Sequence, residues 1–287
     1  MLHIFRLFRL PNLLIIAVLQ FLTAFFLQGN IAESEYLFFN AQKLIFLISA
    51  TILIAAAGNV INDIQDIEID SINKPGKVVI GKYILRKNAL VLYGALNFTG
   101  LLLAGLVEIR FFIWNLIAAQ ILWLYSFVLK CKGIAGNLAV VFLMGLAVWV
   151  VQFAGNHFNF AILYFYMAFA FLTGLIREII KDIEDKNGDL ACGCNTFAAK
   201  NSIEKVKQSI FWLLLICGIL LLYAGIFFIQ NTNWYLGLYQ IVIMFPLFVF
   251  FSLSLRKARE TKQFSCLSLY IKLIMLAGIL SIPLAQL

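Results

Sequence analysis

Apolar residues run along this chain in blocks of about twenty, separated by short polar segments. A helix rises about 1.5 Å per residue, so a block of that length crosses a hydrocarbon core of about 30 Å. Nine blocks meet this length, at about 11–29, 41–62, 88–107, 111–129, 134–153, 160–181, 208–230, 234–255 and 267–285. The pattern predicts an all-α, polytopic membrane protein with nine transmembrane helices and one integral domain over residues 1–287. Residues 1–10, with Arg6 and Arg9 among Leu and Phe, predict a short interfacial helix ahead of Pro11. A cleaved signal peptide is the other reading of such a start, and the length of the first block argues against it.

Polar residues matter most where they end two of these blocks. The second block runs into Asn59-Val60-Ile61-Asn62-Asp63-Ile64-Gln65-Asp66-Ile67-Glu68-Ile69-Asp70. On a continuing helix Asp63, Asp66 and Asp70 share one face, with Asn59 a turn earlier on the same face. Carboxylates so placed repel one another by about 3 kcal/mol per pair at about 6 Å and an effective dielectric near 20. A bound cation relieves that cost. The sixth block ends in Arg177-Glu178-Ile179-Ile180-Lys181-Asp182-Ile183-Glu184-Asp185, followed by Asp189. Asp182, Asp185 and Asp189 each stand 119 positions after their counterparts, and Glu178 holds the place of Asn59. The matched register suggests two pseudo-repeat halves, about 41–130 and 160–255, facing each other across one metal site. Its ligands are then Asp63, Asp66, Asp70, Asp182, Asp185 and Asp189.

Charge sets the orientation. With the amino end inside, nineteen of the 22 Lys and Arg fall on the inner side, together with eleven of the 14 acids. Such asymmetry predicts a multi-pass protein of the inner (cell) membrane with the acidic motifs on the cytoplasmic face. The net charge of +8 therefore reports topology and contact with the lipid bilayer, not a nucleic-acid footprint. Five cysteines, an odd number, are scattered along the chain. They imply no disulfide framework, and Cys192-Gly193-Cys194 is too small a group for a metal site.

Basic residues flank the acids. Asn73-Lys74-Pro75-Gly76-Lys77 stops the helix after the first motif, which keeps Lys77 close to its aspartates. Lys130 ends the fourth block level with the acids, and Arg177 and Lys181 lie within the second motif. Carboxylates that hold Mg²⁺, beside Lys and Arg that neutralise phosphate oxygens, are what a metal-diphosphate complex needs. Asn137 is costly to place in lipid and is expected to face the bundle interior. His157 reads as an exposed loop residue. The segment after Asp189 is long enough for a small cap, and the 28 Phe suit an aromatic-lined tunnel.

These motifs together resemble the UbiA superfamily of intramembrane prenyltransferases. The resemblance rests on Asn62-Asp63-xx-Asp66-xxx-Asp70 with Asn73-x-Pro75, on Gly81-Lys82, and on Ser126-xx-Leu129-Lys130 with Gly136-Asn137. It rests also on Arg177-Glu178-xxx-Asp182-xx-Asp185-xx-Gly188-Asp189, followed by Gly193-xx-Thr196. It implies nine helices around a central cavity, with two aspartate motifs binding the Mg²⁺ that holds a prenyl diphosphate. Asn62, Asp66 and Asp70 match the first motif and Asp185 and Asp189 the second, with Asp63 and Asp182 adjoining them. The string at 177–185 is similar to the branch that makes digeranylgeranylglyceryl phosphate, an ether lipid. The chain departs from that branch with Lys77-Val78 where an Arg-Pro pair is usual, and keeps the charge.

The expected activity is Mg²⁺-dependent transfer of a geranylgeranyl-type group to a lipophilic acceptor. Asn62, Asp66, Asp70, Asp185, Asp189 and Lys130 are the expected catalytic set. Lys77, Lys130, Arg177, Lys181, Asn59 and Arg9 are the expected contacts to diphosphate. A prenylglycerol phosphate is the first choice of acceptor and an aromatic quinone precursor the second. No obligatory protein partner is evident. An ion-coupled transporter also accounts for repeated halves, but its ion sites belong near the bilayer midplane, and these acids stand at the ends of their spans.

Overall fold

The computed structural model of the chain describes residues 2–27, 34–73, 75–76, 78–155, 158–231 and 233–286. Lys77 and His157, together with Glu33 and Lys74, lie outside them. Helices follow in the order α1 (Leu2–Leu7), α2 (Leu10–Leu27), α3 (Ser34–Gln65), α4 (Ile67–Asn73), α5 (Arg86–Val107) and α6 (Ile109–Leu124). A π-helical turn, Tyr125–Leu129, then leads to strand β1 (Lys132–Gly133) and α7 (Ala135–Trp149). The long α8 (Phe160–Ala191) is followed by β2 (Asn195–Thr196), α9 (Phe197–Lys200), α10 (Ile203–Gln230), α11 (Trp234–Tyr239), α12 (Phe245–Lys257) and α13 (Thr261–Leu280).

Among the described residues nine segments are long and apolar enough to cross a membrane, and each overlaps one expected block. Two boundaries differ in ways that matter. The sixth span was expected to end near residue 181, yet α8 continues to Ala191 and carries all three aspartates of the second motif. Residues 182–191 lack Pro, and Gly188 alone is a weak stop within an intact hydrogen-bond ladder. The first motif, by contrast, lies on two helices, because α3 stops at Gln65 and α4 begins at Ile67. Pro11 opens the first span, as the block at 11–29 predicts. It sits in the first turn of α2, where its missing N–H costs nothing. The α1 helix is docked as well, with Leu7 buried among Val60, Ile61 and Ile64 of α3 and Val79, Ile80 and Ala89 beyond it.

Small residues let the helices approach, as expected where lipid removes the hydrophobic drive between them. A Cβ on Gly100 of α5 would meet Ile54 of α3 at 2.9 Å, and one on Gly174 of α8 would meet Met144 of α7 at 2.7 Å. The largest apolar core joins α8, α10, α12 and α13 through residues such as Phe165, Phe169, Phe248 and Phe264. A second core packs α3, α5, α6 and α7 around Phe111. Between them α2, α3, α6, α7, α8 and α13 enclose a cavity of about 310 Å³.

Candidate active site

Two contacts bring the motifs together. The Gly188 N–H donates to Asn73 Oδ1 at 2.9 Å, and Asn73 Nδ2 donates to the Asp185 carbonyl at 3.0 Å. Asn73 thus satisfies its amide on the backbone of α8 and fixes the end of α4 there. Gly188 is required for this, since a Cβ there would strike the Asn73 side chain. The acids that follow share one field: Asp66 and Asp189 are close enough to repel each other, and Asp185 acts on Asp189 as well.

Asp63, Asp66, Asp182 and Asp189 are each held by a different partner. Asp66, buried with 3% of its surface exposed, forms an ion pair with Lys130 and accepts from Asn62 Nδ2 at 2.6 Å. Lys130 follows the π-helical turn, whose widened backbone bonds Lys130 N–H to Tyr125 O at 3.0 Å. Such turns recur where a side chain must be re-aimed. Asp63 accepts from Arg9 Nη2 at 2.7 Å. Arg9 adopts φ +52°, a left-handed backbone that costs a non-glycine residue of order 1–3 kcal/mol and persists only where its surroundings fix it. Burial works against the charge of its guanidinium, and attraction and hydrogen bonding from Asp63 more than offset this, holding it above its usual value.

Asp182 accepts from Asn137 Nδ2 at 2.9 Å, so Asn137 faces inward as the cost of an amide in lipid requires. Asp189, also 3% exposed, accepts from Thr196 Oγ1 at 3.1 Å. Glu178 is bracketed by Arg177 Nη1 at 2.7 Å and Lys181 Nζ at 2.9 Å. Asn59 donates to Phe8 O at 2.9 Å, which ties the turn between α1 and α2 to α3. Asp70 follows one helical turn after Asp66, with its N–H on Asp66 O.

The cysteine reading is overturned here. Cys131 and Cys194 are joined by a disulfide across 63 residues. Their neighbours Lys132–Gly133 and Asn195–Thr196 pair as parallel strands, and this tertiary pairing, invisible to a count of cysteines, brings the two together. The bridge ties the residue after Lys130 to the loop carrying Thr196. Cys192 is free and exposed.

Above the apolar part of the cavity, lined by Ile54, Trp114, Leu122, Leu143 and Phe169, stand Arg9, Asn59, Asn62, Arg177, Glu178 and Lys181. Two further polar residues of the wall, Asn12 and Lys272, were not among the expected contacts. Lys272 was legible as a lysine inside the last span, a position that marks function by default.

Among the described residues no three His, Cys, Asp or Glu side chains close on a single point as a ready-made chelate. The donor set is nonetheless one of hard oxygens. Asn62 Oδ1, beside Asp66, is buried without a hydrogen-bond partner, an orphaned acceptor of the kind a cation or its water satisfies. Mg²⁺ is commonly held by one or two carboxylates plus substrate phosphates, without an all-protein cage. The residues present fit that mode.

Among the described residues nine helices are long and apolar enough to cross a membrane. The two aspartate motifs, joined through Asn73, lie next in sequence to Asn62, Arg177, Glu178 and Lys181 of the cavity wall, with no aspartate in the wall itself. This is the arrangement of an intramembrane enzyme for a lipid with a charged head. The chain belongs to the UbiA prenyltransferase family, whose model matches residues 16–274. It is 30% identical over 261 residues to the digeranylgeranylglyceryl phosphate synthase of Sulfurisphaera tokodaii, covering 91% of each chain. It is 32% identical over 276 residues to that of Methanococcus aeolicus, covering 95% of this chain and 96% of that one. The match to the Methanothrix thermoacetophila synthase is 36% over 155 residues, which is 57% of that protein. Among solved structures, one from a study of digeranylgeranylglyceryl phosphate synthase superposes with a TM-score of 0.74 at 24% identity, covering 99% of this chain and 97% of that one. A UbiA homologue from Archaeoglobus fulgidus, bound to GPP and Mg²⁺, superposes with a TM-score of 0.66 at 16% identity, covering 98% and 99%.

Proposed function

We propose that the chain transfers a geranylgeranyl-type group from its diphosphate to a prenylglycerol phosphate. The observation that carries this is the docking of α4 on α8 by Asn73, which supports a common site for Asp66, Asp70, Asp185 and Asp189 next to the polar wall of the cavity at Asn62, Arg177 and Glu178. The names of the relatives above, which make digeranylgeranylglyceryl phosphate, support the choice of acceptor. The basic residues clustered beside the acids support a membrane orientation with the site on the cytoplasmic side of the cell membrane. The equal register of the two motifs supports a repeat of the halves 41–130 and 160–255.

In this reading Asp66, Asp70, Asp185 and Asp189 hold Mg²⁺, with Asn62 Oδ1 beside them and Asp63 and Asp182 as outer members. The ion supplies neutralising charge to the diphosphate and so makes it a better leaving group. Lys130 leaves Asp66 for the leaving group's oxygens, and Lys77 and Arg9 add charge from the flanking segments. The allylic tail lies along the apolar wall, where water is excluded and carbocation-like character at its first carbon is not quenched. The acceptor hydroxyl attacks that carbon as the carbon–oxygen bond breaks. Its proton passes to the departing diphosphate, so the step needs no strong protein base.

The experiment is transfer from labelled geranylgeranyl diphosphate to a prenylglycerol phosphate or to a dihydroxynaphthoate, with and without Mg²⁺. Labelled ether lipid is expected only with Mg²⁺ and only from the first acceptor. Product from the aromatic acceptor alone would move the assignment to quinone synthesis.

A further inference from the structure

One group of charges in the cavity wall, around Lys272 and Arg177, has no part in the mechanism above. Lys272 sits well inside α13, eleven residues after its start at Thr261, and turns into the cavity. Its ammonium donates to Asn12 Oδ1 at 2.8 Å, a neutral acceptor. Among the described residues no carboxylate pairs with it. Arg177 is near enough to repel it, and the buried Nε of Arg177 has no hydrogen-bond partner. The carboxylate in this part of the wall is Glu178, whose oxygens are already shared between Arg177 and Lys181. Arg177, Lys181 and Lys272 against Glu178 leave an excess of two positive charges and an unsatisfied donor.

Two cations held together in an apolar wall repel each other unless an anion joins them. The charge that balances them is that of a phosphate monoester, about −1.5 to −2 near neutral pH. A carboxylate brings half of that. The planar guanidinium fork of Arg177 suits phosphate oxygens, and Lys272 supplies a compact charge from the opposite helix. Resting on the prenyl-transfer reading, we infer that Arg177 and Lys272, with Asn12 orienting the lysine, hold the phosphate monoester of the acceptor lipid. This subsite is distinct from the one where Lys130 and the aspartates hold the donor. Arg177, which sequence reasoning grouped with the diphosphate contacts, then selects the acceptor.

The test is equilibrium binding of a labelled prenylglycerol phosphate to the purified protein in detergent, in chelator and without donor. Lys272→Met is expected to weaken binding by about 10- to 100-fold, the loss typical of a charged hydrogen-bonding partner. Lys272→Arg is expected to restore most of it. The same prenylglycerol without its phosphate should bind the wild type and Lys272→Met alike, and inorganic phosphate should compete with the phosphorylated lipid. In the transfer assay the KM for acceptor should rise in Lys272→Met while the KM for the donor stays within about twofold, which also reports that the variant is folded. Equal binding of the phosphorylated lipid by wild type and Lys272→Met would overturn the inference. So would equal losses for both lipids, or a rise in KM that falls on the donor. If the phosphorylated lipid binds through Lys272 and no Mg²⁺-dependent transfer follows, prenyl transfer fails and the anion subsite stands.

Discussion

Asp63, Asp66 and Asp70 ride on a helix that breaks between Gln65 and Ile67, whereas Asp182, Asp185 and Asp189 ride on one that continues to Ala191. Their partners differ as much as their backbones. Cations hold the first motif, Arg9 on Asp63 and Lys130 on Asp66. Neutral donors hold the second, Asn137 on Asp182 and Thr196 on Asp189. Asp63 and Asp66 therefore rest in ion pairs, while Asp182 and Asp189 are held by hydrogen bonds from uncharged groups. The break in the first motif lets α4 lean onto α8, and the continuity of the second gives it a rigid backbone to lean on.

The largest expected effect follows from removing an acid from either side. Asp66→Ala and Asp189→Ala should each lower kcat by about 10²- to 10³-fold or more, as loss of one preorganised electrostatic group does. A variant that loses activity on one side only would show that the motifs do not share a substrate. Next is the seam between them. Gly188→Ala displaces Asn73 and should cost about 10²-fold in kcat/KM, the scale of a misplacement near 1 Å. Gly94→Ala on α5, where a Cβ meets nothing, should leave activity unchanged in the same assay. If both behave alike, the docking of α4 on α8 is not what aligns the site.

Smaller effects separate the two kinds of partner. Asn137→Ala removes a neutral donor from a half-buried carboxylate and should cost about 1–3 kcal/mol of stability, read as a lower Tm in detergent, with activity at low temperature reduced much less. Cys194→Ser should slow transfer only a few-fold, because the pairing of β1 with β2 and the bond from Thr196 to Asp189 remain. A loss as large as that of Asp189→Ala would make the bridge, not the strand pair, the element that positions Lys130 against the second motif.

Much of this arrangement was written in the chain as hydrophobic period and charge spacing. The nine spans followed from block length, and the acids from their register, because burying carboxylates at a membrane edge is too costly to be incidental. Asn137 could be assigned inward for the same reason. The interruption at Asp66 could not, since nothing between Gln65 and Ile67 is a helix breaker and the contact that holds α4 on α8 joins Asn73 to the backbone of Gly188, 115 residues further on. The Cys131–Cys194 bridge depends equally on a tertiary pairing. The role of Lys272 needed the position of Asn12, 260 residues distant, although a lone lysine in an apolar span was itself a signal.

The claim on which the rest depends is that the two motifs form one magnesium-diphosphate site. Binding of labelled geranylgeranyl diphosphate, titrated with Mg²⁺, measures it in the wild type, in Asp66→Ala, in Asp189→Ala and in the double variant. Groups acting as a unit are non-additive: each single variant should lose Mg²⁺-dependent binding as fully as the double variant does. Single variants that each keep part of that binding, with losses that sum in the double variant, would contradict it.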